Sequence, residues 1–310
     1  MRWFLAALVL VLMPQNICFS ERVLSVDIGG TRVKAAIIDS DWTSKELQSA
    51  KIFVMSSVNY LNENLPSLLD PKKPGSLIEL VGLDFDRASI LVPADVIDGE
   101  EAVRPDLNLP TGLRRKFEEA LGKPVAIEQD AVGGLEGFLY WSQLAGDPVE
   151  YPVVRVAFGT GLAVAFADQD GEVRTISISD MQADWTPLSP ILGTNIDKGT
   201  KLHGNIRKAF ERVRDGQPKE ALIHAVNTFL QIMLNRIQVD GIHVASLVLG
   251  GGWANLLNES EIDLGPDLGE IKVVVVNGEY AQKSGVDPDI IPLLNAFYQP
   301  ISVEPTYHSR

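Results

Sequence analysis

Cysteine is nearly missing from this chain: Cys18 is the only one in 310 residues. A disulfide framework, a CxxC redox pair and a cysteine-rich zinc site are therefore excluded within one chain, and no zinc is expected. Histidine is also scarce. His203, His224, His243 and His308 fall on separate elements or on the tail, with no metal-ligand spacing among them. Positive charge is in short supply, 27 Lys and Arg against 41 Asp and Glu, for a formal net charge of −14. Such a chain repels a phosphate backbone, which argues against a nucleic-acid partner. It leaves a small phosphate ligand open, because a few local donors and Mg²⁺ outweigh a remote field. There is no low-complexity segment and no long charge run. The N-terminal apolar stretch Trp3 to Met13 is too short to span a bilayer, so no membrane span is expected in the mature chain.

What is present is a hydrophobic content of 45%, enough for globular cores, in a length that accommodates two lobes. The most informative stretch is Val23 to Asp39, VLSVDIGGTRVKAAIID. Runs rich in Val and Ile on either side of Gly29-Gly30 read as a β-hairpin whose tight turn needs positive φ. Asp27 stands just before that turn, Thr31 and Lys34 just after it. A glycine tip lets a phosphate approach the backbone N–H groups. Thr31 adds a hydroxyl, Lys34 a positive charge, and Asp27 a carboxylate able to hold a hydrated Mg²⁺. A plain surface hairpin is the alternative for these residues taken alone.

The layout recurs. Val153 to Asp168, VVRVAFGTGLAVAFAD, carries a second glycine turn at Gly159, Thr160 and Gly161, and a third cluster, Gly250, Gly251 and Gly252, follows the apolar run ASLVL. This constellation resembles the ROK family and bacterial glucokinases, the sugar-kinase branch of the actin/hexokinase-like ATPase fold. DIGGTRVK is similar to their first phosphate motif, GTG to the second and LGGGWAN to the adenosine motif. The resemblance covers most of Val23 to about Tyr298. It implies an α/β protein of two actin-like (ribonuclease H-like) lobes with a nucleotide cleft between them. The expected division is residues 21–122 for the N-terminal lobe, with a terminal helix at 288–300 packing back on it, and 123–287 for the C-terminal lobe.

Arg104 to Ala131, RPDLNLPTGLRRKFEEALGKPVAIEQDA, is the second informative block. Leu113, Phe117, Ala120 and Leu121 have helical spacing, and Gly122 stops that helix. Pro124 to Ile127 reads as a short strand that delivers Glu128-Gln129-Asp130 to a strand end, where α/β folds place their chemistry. The resemblance puts Asp130 on the family's general base and makes Asn108 and Gln129 substrate-orienting residues. Phosphoryl transfer needs an aligned hydroxyl and an acceptor for its proton, and a carboxylate serves both needs. Asp130 is also a good cap for the helix that follows. That helix, Val132 to Gln143, carries Gly133, Gly134 and Gly137, which cost about 2–3 kcal/mol in propensity and point to close packing or a ligand.

Other stretches are more ordinary. IELVGLDF and ASILVPADV, within Ser76 to Val96, read as further strands. Asp197 to Asp240 is helical by period, Ile242 to Leu249 and Ile271 to Val276 are strands, and Pro288 to Tyr298 is a terminal helix. One segment departs from the family. Ile176 to Asn195, ISISDMQADWTPLSPILGTN, stands where the family's GEIGH-like sugar-gripping segment belongs and has no such Glu–His pair. Asp180, Asp184 and Trp185 are a replacement site or a polar loop with one packed tryptophan.

The implied activity is ATP- and Mg²⁺-dependent phosphorylation of a sugar-like hydroxyl in carbohydrate metabolism. A non-catalytic sensor of nucleotide or sugar is the alternative. The resemblance admits a homodimer. Residues 1–20 have the layout of a signal peptide, with Cys18 and Ser20 suiting a cleavage site, unless synthesis starts at Met13. The need for ATP favours the cytoplasm, and a cleaved signal would instead mean an exported protein with a repurposed cleft.

Overall fold

The computed structural model describes residues 20–57, 60–104, 106–159, 161–196 and 199–300. The signal-like segment through Phe19 and the position Thr160 lie outside the described residues. Among the described residues, no helix is long and apolar enough to cross a membrane.

The first sheet is built from β1 (Arg22–Ile28), β2 (Arg32–Asp39), β3 (Phe53–Ser56), β4 (Arg87–Val92) and β7 (Val125–Gln129), in the order β3-β2-β1-β4-β7. A short ribbon, β5 (Asp95–Ile97) with β6 (Glu101–Val103), leaves it between the last two strands. The second sheet contains β8 (Val153–Phe158), β9 (Leu162–Ala167), β10 (Val173–Thr175), β11 (Ser246–Gly250) and β12 (Lys272–Val275), in the order β10-β9-β8-β11-β12. Each sheet is thus an antiparallel meander of three strands extended by two parallel strands, and the two have one topology. The first sheet runs past the expected boundary at residue 122, because β7 pairs with β4. The sheets divide after Gln129.

Strand alternation sorts the cores. Leu24, Val26 and Ile28 pack outward against Leu65, Leu68, Leu113 and Phe117, the last two from α3 (Leu113–Leu121), which Gly122 ends in a left-handed cap as expected. Val154, Val156 and Phe158 pack outward against α6 (Leu202–Arg214) and α7 (Glu220–Val239) through residues such as Phe210 and Phe229. Between the sheets lies a third core around α4 (Asp130–Leu144), with Leu135, Phe138 and Leu139 set among Val153, Ala165, Val248 and Leu294. Among the described residues, the remaining α-helices, α1 (Ser44–Gln48), α2 (Leu77–Val81), α5 (Leu188–Leu192) and α8 (Gly278–Ser284), are short.

Close packing accounts for the glycines of α4. A Cβ on Gly133 would lie 2.1 Å from Leu91 Cδ2, one on Gly134 2.5 Å from Arg155 Nη1, and one on Gly137 2.0 Å from the Ile291 carbonyl oxygen. Two sequence expectations are corrected here. The run IELVGLDF contains a helix and no strand: only Leu77 and Ile78 of α2 are buried, and Gly82 at φ 81° ends it. The terminal helix is a 3-10 helix, Ile291–Phe297, with Pro292 in its first turn. It lies against α4 and reaches the first sheet: Arg87 donates to the Ala296 carbonyl (3.2 Å) and Asn295 Nδ2 to Ser89 Oγ (3.1 Å).

Candidate active site

Both sheets end in glycine hairpins on the same side. In the first, the Gly29 N–H donates to the Arg32 carbonyl (2.8 Å), leaving Gly30 and Thr31 at the tip. In the second, the Gly159 N–H donates to the Gly161 carbonyl (2.9 Å). Gly29, Gly159 and Gly161 all lie outside the left-handed region, at Gly29 contrary to the positive φ expected of that turn. Gly29 meets a close-approach limit instead, since a Cβ there would sit 3.2 Å from the Arg32 carbonyl oxygen. The left-handed glycine of the site is Gly251, at φ +89°. Its missing Cβ would fall 2.5 Å from the Phe158 carbonyl oxygen, which also accepts the Trp253 N–H at 3.0 Å. The turn Gly250–Gly252 is therefore tied to the end of β8, beside the second hairpin.

Asp27 is the penultimate residue of β1, on its inner face, with a side chain 15% exposed. Its cross-strand partner is Lys34, whose Nζ lies 3.9 Å from Asp27 Oδ2 and 2.8 Å from Asp289 Oδ1. Lys34 thus spans the two carboxylates. Burial raises the Asp27 pKa, and Lys34 and Arg155 oppose that rise.

Asp130 is the first residue of α4, and Gln129 occupies the N-cap position without a side-chain cap bond. The capping role open to Asp130 in the sequence is therefore not the one it plays. Burial, with the negative charge of Asp27 added, pushes its carboxyl up to about 7, against the pull of Arg155, the Ala131 N–H and Arg104. Gln129 adjoins it and donates to Asp95 Oδ1 at 3.1 Å. Asn108 is exposed in the loop between β6 and α3, four residues after Arg104, which chelates Asp106 (2.7 and 2.9 Å). Asp27, Asp130, Gln129 and the three glycine turns are thus brought to one end of the two sheets.

Arg155 of this region is not singled out in the sequence, and His203 enters there only as a histidine without metal-ligand spacing. Arg155, on β8, is buried to 9% exposure in the core between the sheets, and its guanidinium packs on Gly134 and Gly250. The signal was available: VVRVAF is apolar on both faces, so an arginine inside it has no solvent face to occupy. His203, on α6, accepts the Leu162 N–H at Nδ1 (3.1 Å), and burial, then Arg104, lowers its pKa. It backs the second hairpin with Phe210 and Trp253 around a void of about 10 Å³, room for no more than a water.

Trp185 is 2% exposed and stacks on Phe229 (5.8 Å between centroids), while Asp184 accepts the Thr186 N–H and Oγ1–H at 3.0 and 2.7 Å. These two are structural, the packed tryptophan and turn residue that the sequence allowed. A concavity of about 420 Å³ lined by Gln238, Ile242, His243 and Asp267 precedes β11, at the opposite strand end from the glycine turns.

Among the described residues, no group of three or more His, Cys, Asp or Glu is placed to hold a metal. Asp27, the expected Mg²⁺ ligand, lies 3.9 Å from Lys34 Nζ and shares this end of the sheets with Asp130. One or two carboxylates beside a phosphate chain are a donor set that fits a hydrated Mg²⁺.

No protein-family model and no curated protein sequence matches the chain. Solved structures do. An inorganic polyphosphate/ATP-glucomannokinase from Arthrobacter sp. strain KM is similar at a TM-score of 0.55 and 18% identity, over 88% of this chain and 98% of that one. A ROK family glucokinase from Streptomyces griseus, solved with glucose and AMPPNP, gives 0.52 and 16%, over 89% and 98%. A ROK family transcriptional regulator, described as a homologue of the E. coli MLC protein, gives 0.55 and 14%, over 90% and 79%. The chain has the two-lobed α/β fold of the ROK and hexokinase-like sugar kinases, a fold that serves a regulator as well.

Proposed function

We propose that this protein transfers the γ-phosphoryl group of ATP to a hydroxyl of a sugar-like substrate. The observation that carries this reading is the convergence of Asp27 and Asp130, each at a strand end, beside three glycine turns, with the Asp130 carboxyl poised at about 7. Gly29, Gly30, Thr31, Gly159, Thr160 and Gly161 line the phosphate chain in this reading, and Gly250–Gly252 pass along the adenosine. The hydroxyl oxygen attacks the γ-phosphorus, the bond to the β–γ bridging oxygen breaks, and the hydroxyl proton passes to Asp130. The products are a phosphate ester and ADP. A base titrating near neutrality is half ionised at the working pH and still binds a proton firmly, which is the useful compromise for such a group. Gln129, next to the base in sequence, and Asn108, from the loop before α3, orient the acceptor in this reading. Lys34 acts on the site through Asp27. Asp27 would hold a hydrated Mg²⁺ that offsets charge on the phosphates.

The second reading is a sensor that binds nucleotide or sugar without turnover. It is favoured by the segment Ile176–Asn195, which has no sugar-gripping Glu–His pair and whose Trp185 is committed to the core. A substrate-stimulated transfer assay over a sugar panel, run beside direct ATP titration, separates the two. Transfer to one sugar supports the kinase; firm ATP binding with no transfer to any sugar moves the conclusion to the sensor. Location in the cytoplasm and a homodimer are compatible with either reading.

A further inference from the structure

We propose that His203 is a positioning residue for the nucleotide, its Nδ1 holding the second glycine hairpin in the shape that receives the phosphates. The inference rests on the nucleotide reading above. The hairpin leaves one donor without a strand to meet it. Gly159 bonds back to Gly161 across the tip, and the next pair in register is Phe158 with Leu162. Pairs in an antiparallel ladder alternate between bonded and non-bonded, so the Leu162 N–H turns away from β8. β10 lies on that side but pairs with β9 only over Ala165–Ala167. The chain after β10 reaches the Val164 carbonyl, which accepts the Ile176 N–H (2.9 Å), and stops short of Leu162. Leu162 is 5% exposed, and a buried N–H needs an acceptor. His203 Nδ1 supplies it at 3.1 Å.

A ring nitrogen that accepts carries no proton, so this bond belongs to the neutral imidazole with its proton on Nε2. The surroundings favour that form. Ile206, Phe210 and Trp253 line the small void beside the ring. The charged groups that face it are both cations, Arg207 from its own helix and Arg104 from the end of the β5–β6 ribbon. Arg207 is itself paired with Glu211 (2.8 Å). The same helix steadies the residue after the third glycine turn, since Phe210 and Arg214 pack on the Trp253 ring (6.0 and 5.4 Å). α6 thus holds both glycine turns of the second sheet, the phosphate hairpin through His203 and the adenosine turn through Trp253.

The test titrates Mg·ADP into the full chain by calorimetry, with His203→Asn and His203→Leu alongside, each first shown to be folded by circular dichroism. Asparagine places an oxygen where Nδ1 stands; leucine has the shape and no acceptor. His203→Asn is expected to bind within about twofold of wild type, and His203→Leu about fivefold or more weakly, the scale of one lost hydrogen bond. In the transfer assay the KM for ATP should rise in step for the leucine variant, while the KM for the sugar, whose contacts lie in the first lobe, stays within about twofold. A folded His203→Leu that binds like wild type overturns the proposal and leaves the nucleotide reading intact. So does a His203→Asn that loses as much as the leucine variant, or a rise in both KM values together. A wild type that binds no Mg·ADP overturns both. If His203→Leu does not fold, His203→Ala, which also lacks the acceptor, takes its place.

Discussion

The two sheets share strand order, hairpin position and the sorting of apolar residues to their outer faces, yet their inner faces carry opposite charge. Counting back from the first glycine, β1 has Asp27 and Ser25, whereas β8 has Ala157 and Arg155. Repetition of the architecture without repetition of these residues shows what the fold itself needs and what it does not. Leu24, Val26 and Ile28 have their counterparts in Val154, Val156 and Phe158, because both sheets must cover helices on that side. Nothing in packing calls for an acid in one lobe facing a base in the other. That asymmetry belongs to the space between them, where Asp130 completes the set.

The largest effect expected from breaking this asymmetry is at Asp130. Asp130→Asn keeps the shape but cannot accept the hydroxyl proton. Transfer to the best substrate of the panel should fall about 10²–10⁴-fold, the usual contribution of a general base. Wild-type kcat/KM should rise with pH through about 7, as the carboxyl ionises, and the variant should lack that limb. Stability moves the other way. A carboxyl whose folded pKa is raised contributes stability that is full below its unfolded pKa, about 3.9, and that is lost as pH rises through its folded value. Melts of the two proteins should therefore converge near pH 4, with the variant gaining on wild type toward pH 8. Equal rates in a folded variant would remove Asp130 from the mechanism.

The next effect concerns α4, which fills the space between the lobes. Gly137→Ala would drive a methyl to 2.0 Å from the Ile291 carbonyl oxygen, a backbone atom that cannot step aside alone. A loss of about 1–3 kcal/mol is expected, as for other overpacked sites, even though alanine favours the helix. Gly134→Ala meets only the end of the Arg155 side chain and should cost less. Urea unfolding of both variants tests the order; the reverse order would mean that Arg155 is held more rigidly than the 3-10 helix.

Much of this was legible in the residues. The glycine turns, α3 with its Gly122 stop, the strand leading to Asp130 and the helix after it all follow from local spacing and turn chemistry, which act within a few residues. The run IELVGLDF, residues 78–85, reads as strand in the sequence because so short an apolar run carries no period long enough to separate the two states. Arg155 was passed over because its meaning comes from burial on both faces of a strand, a property of the assembled sheet. The same holds for Lys34: its ion pair with Asp289, more than 250 residues on, is a tertiary fact.

The smallest structural effect gives the sharpest contrast between the two hairpins. Gly29 has a reason within the protein to be glycine, the 3.2 Å approach to the Arg32 carbonyl oxygen. Gly161 has none: its φ is not left-handed and a Cβ there would meet nothing within 4 Å. Gly161→Ala should accordingly leave unfolding free energy within about 0.5 kcal/mol of wild type, as for an open surface site. Gly29→Ala should lose measurably more. If the second hairpin cradles phosphate, however, the new methyl stands where an oxygen must approach the backbone, and ATP binding should weaken by about tenfold or more, 1.4 kcal/mol. A Gly161→Ala protein that melts like wild type and binds ATP like wild type would show that this glycine answers to neither the fold nor a ligand. The second hairpin would then be an ordinary turn, and the phosphate site would rest on the first lobe alone.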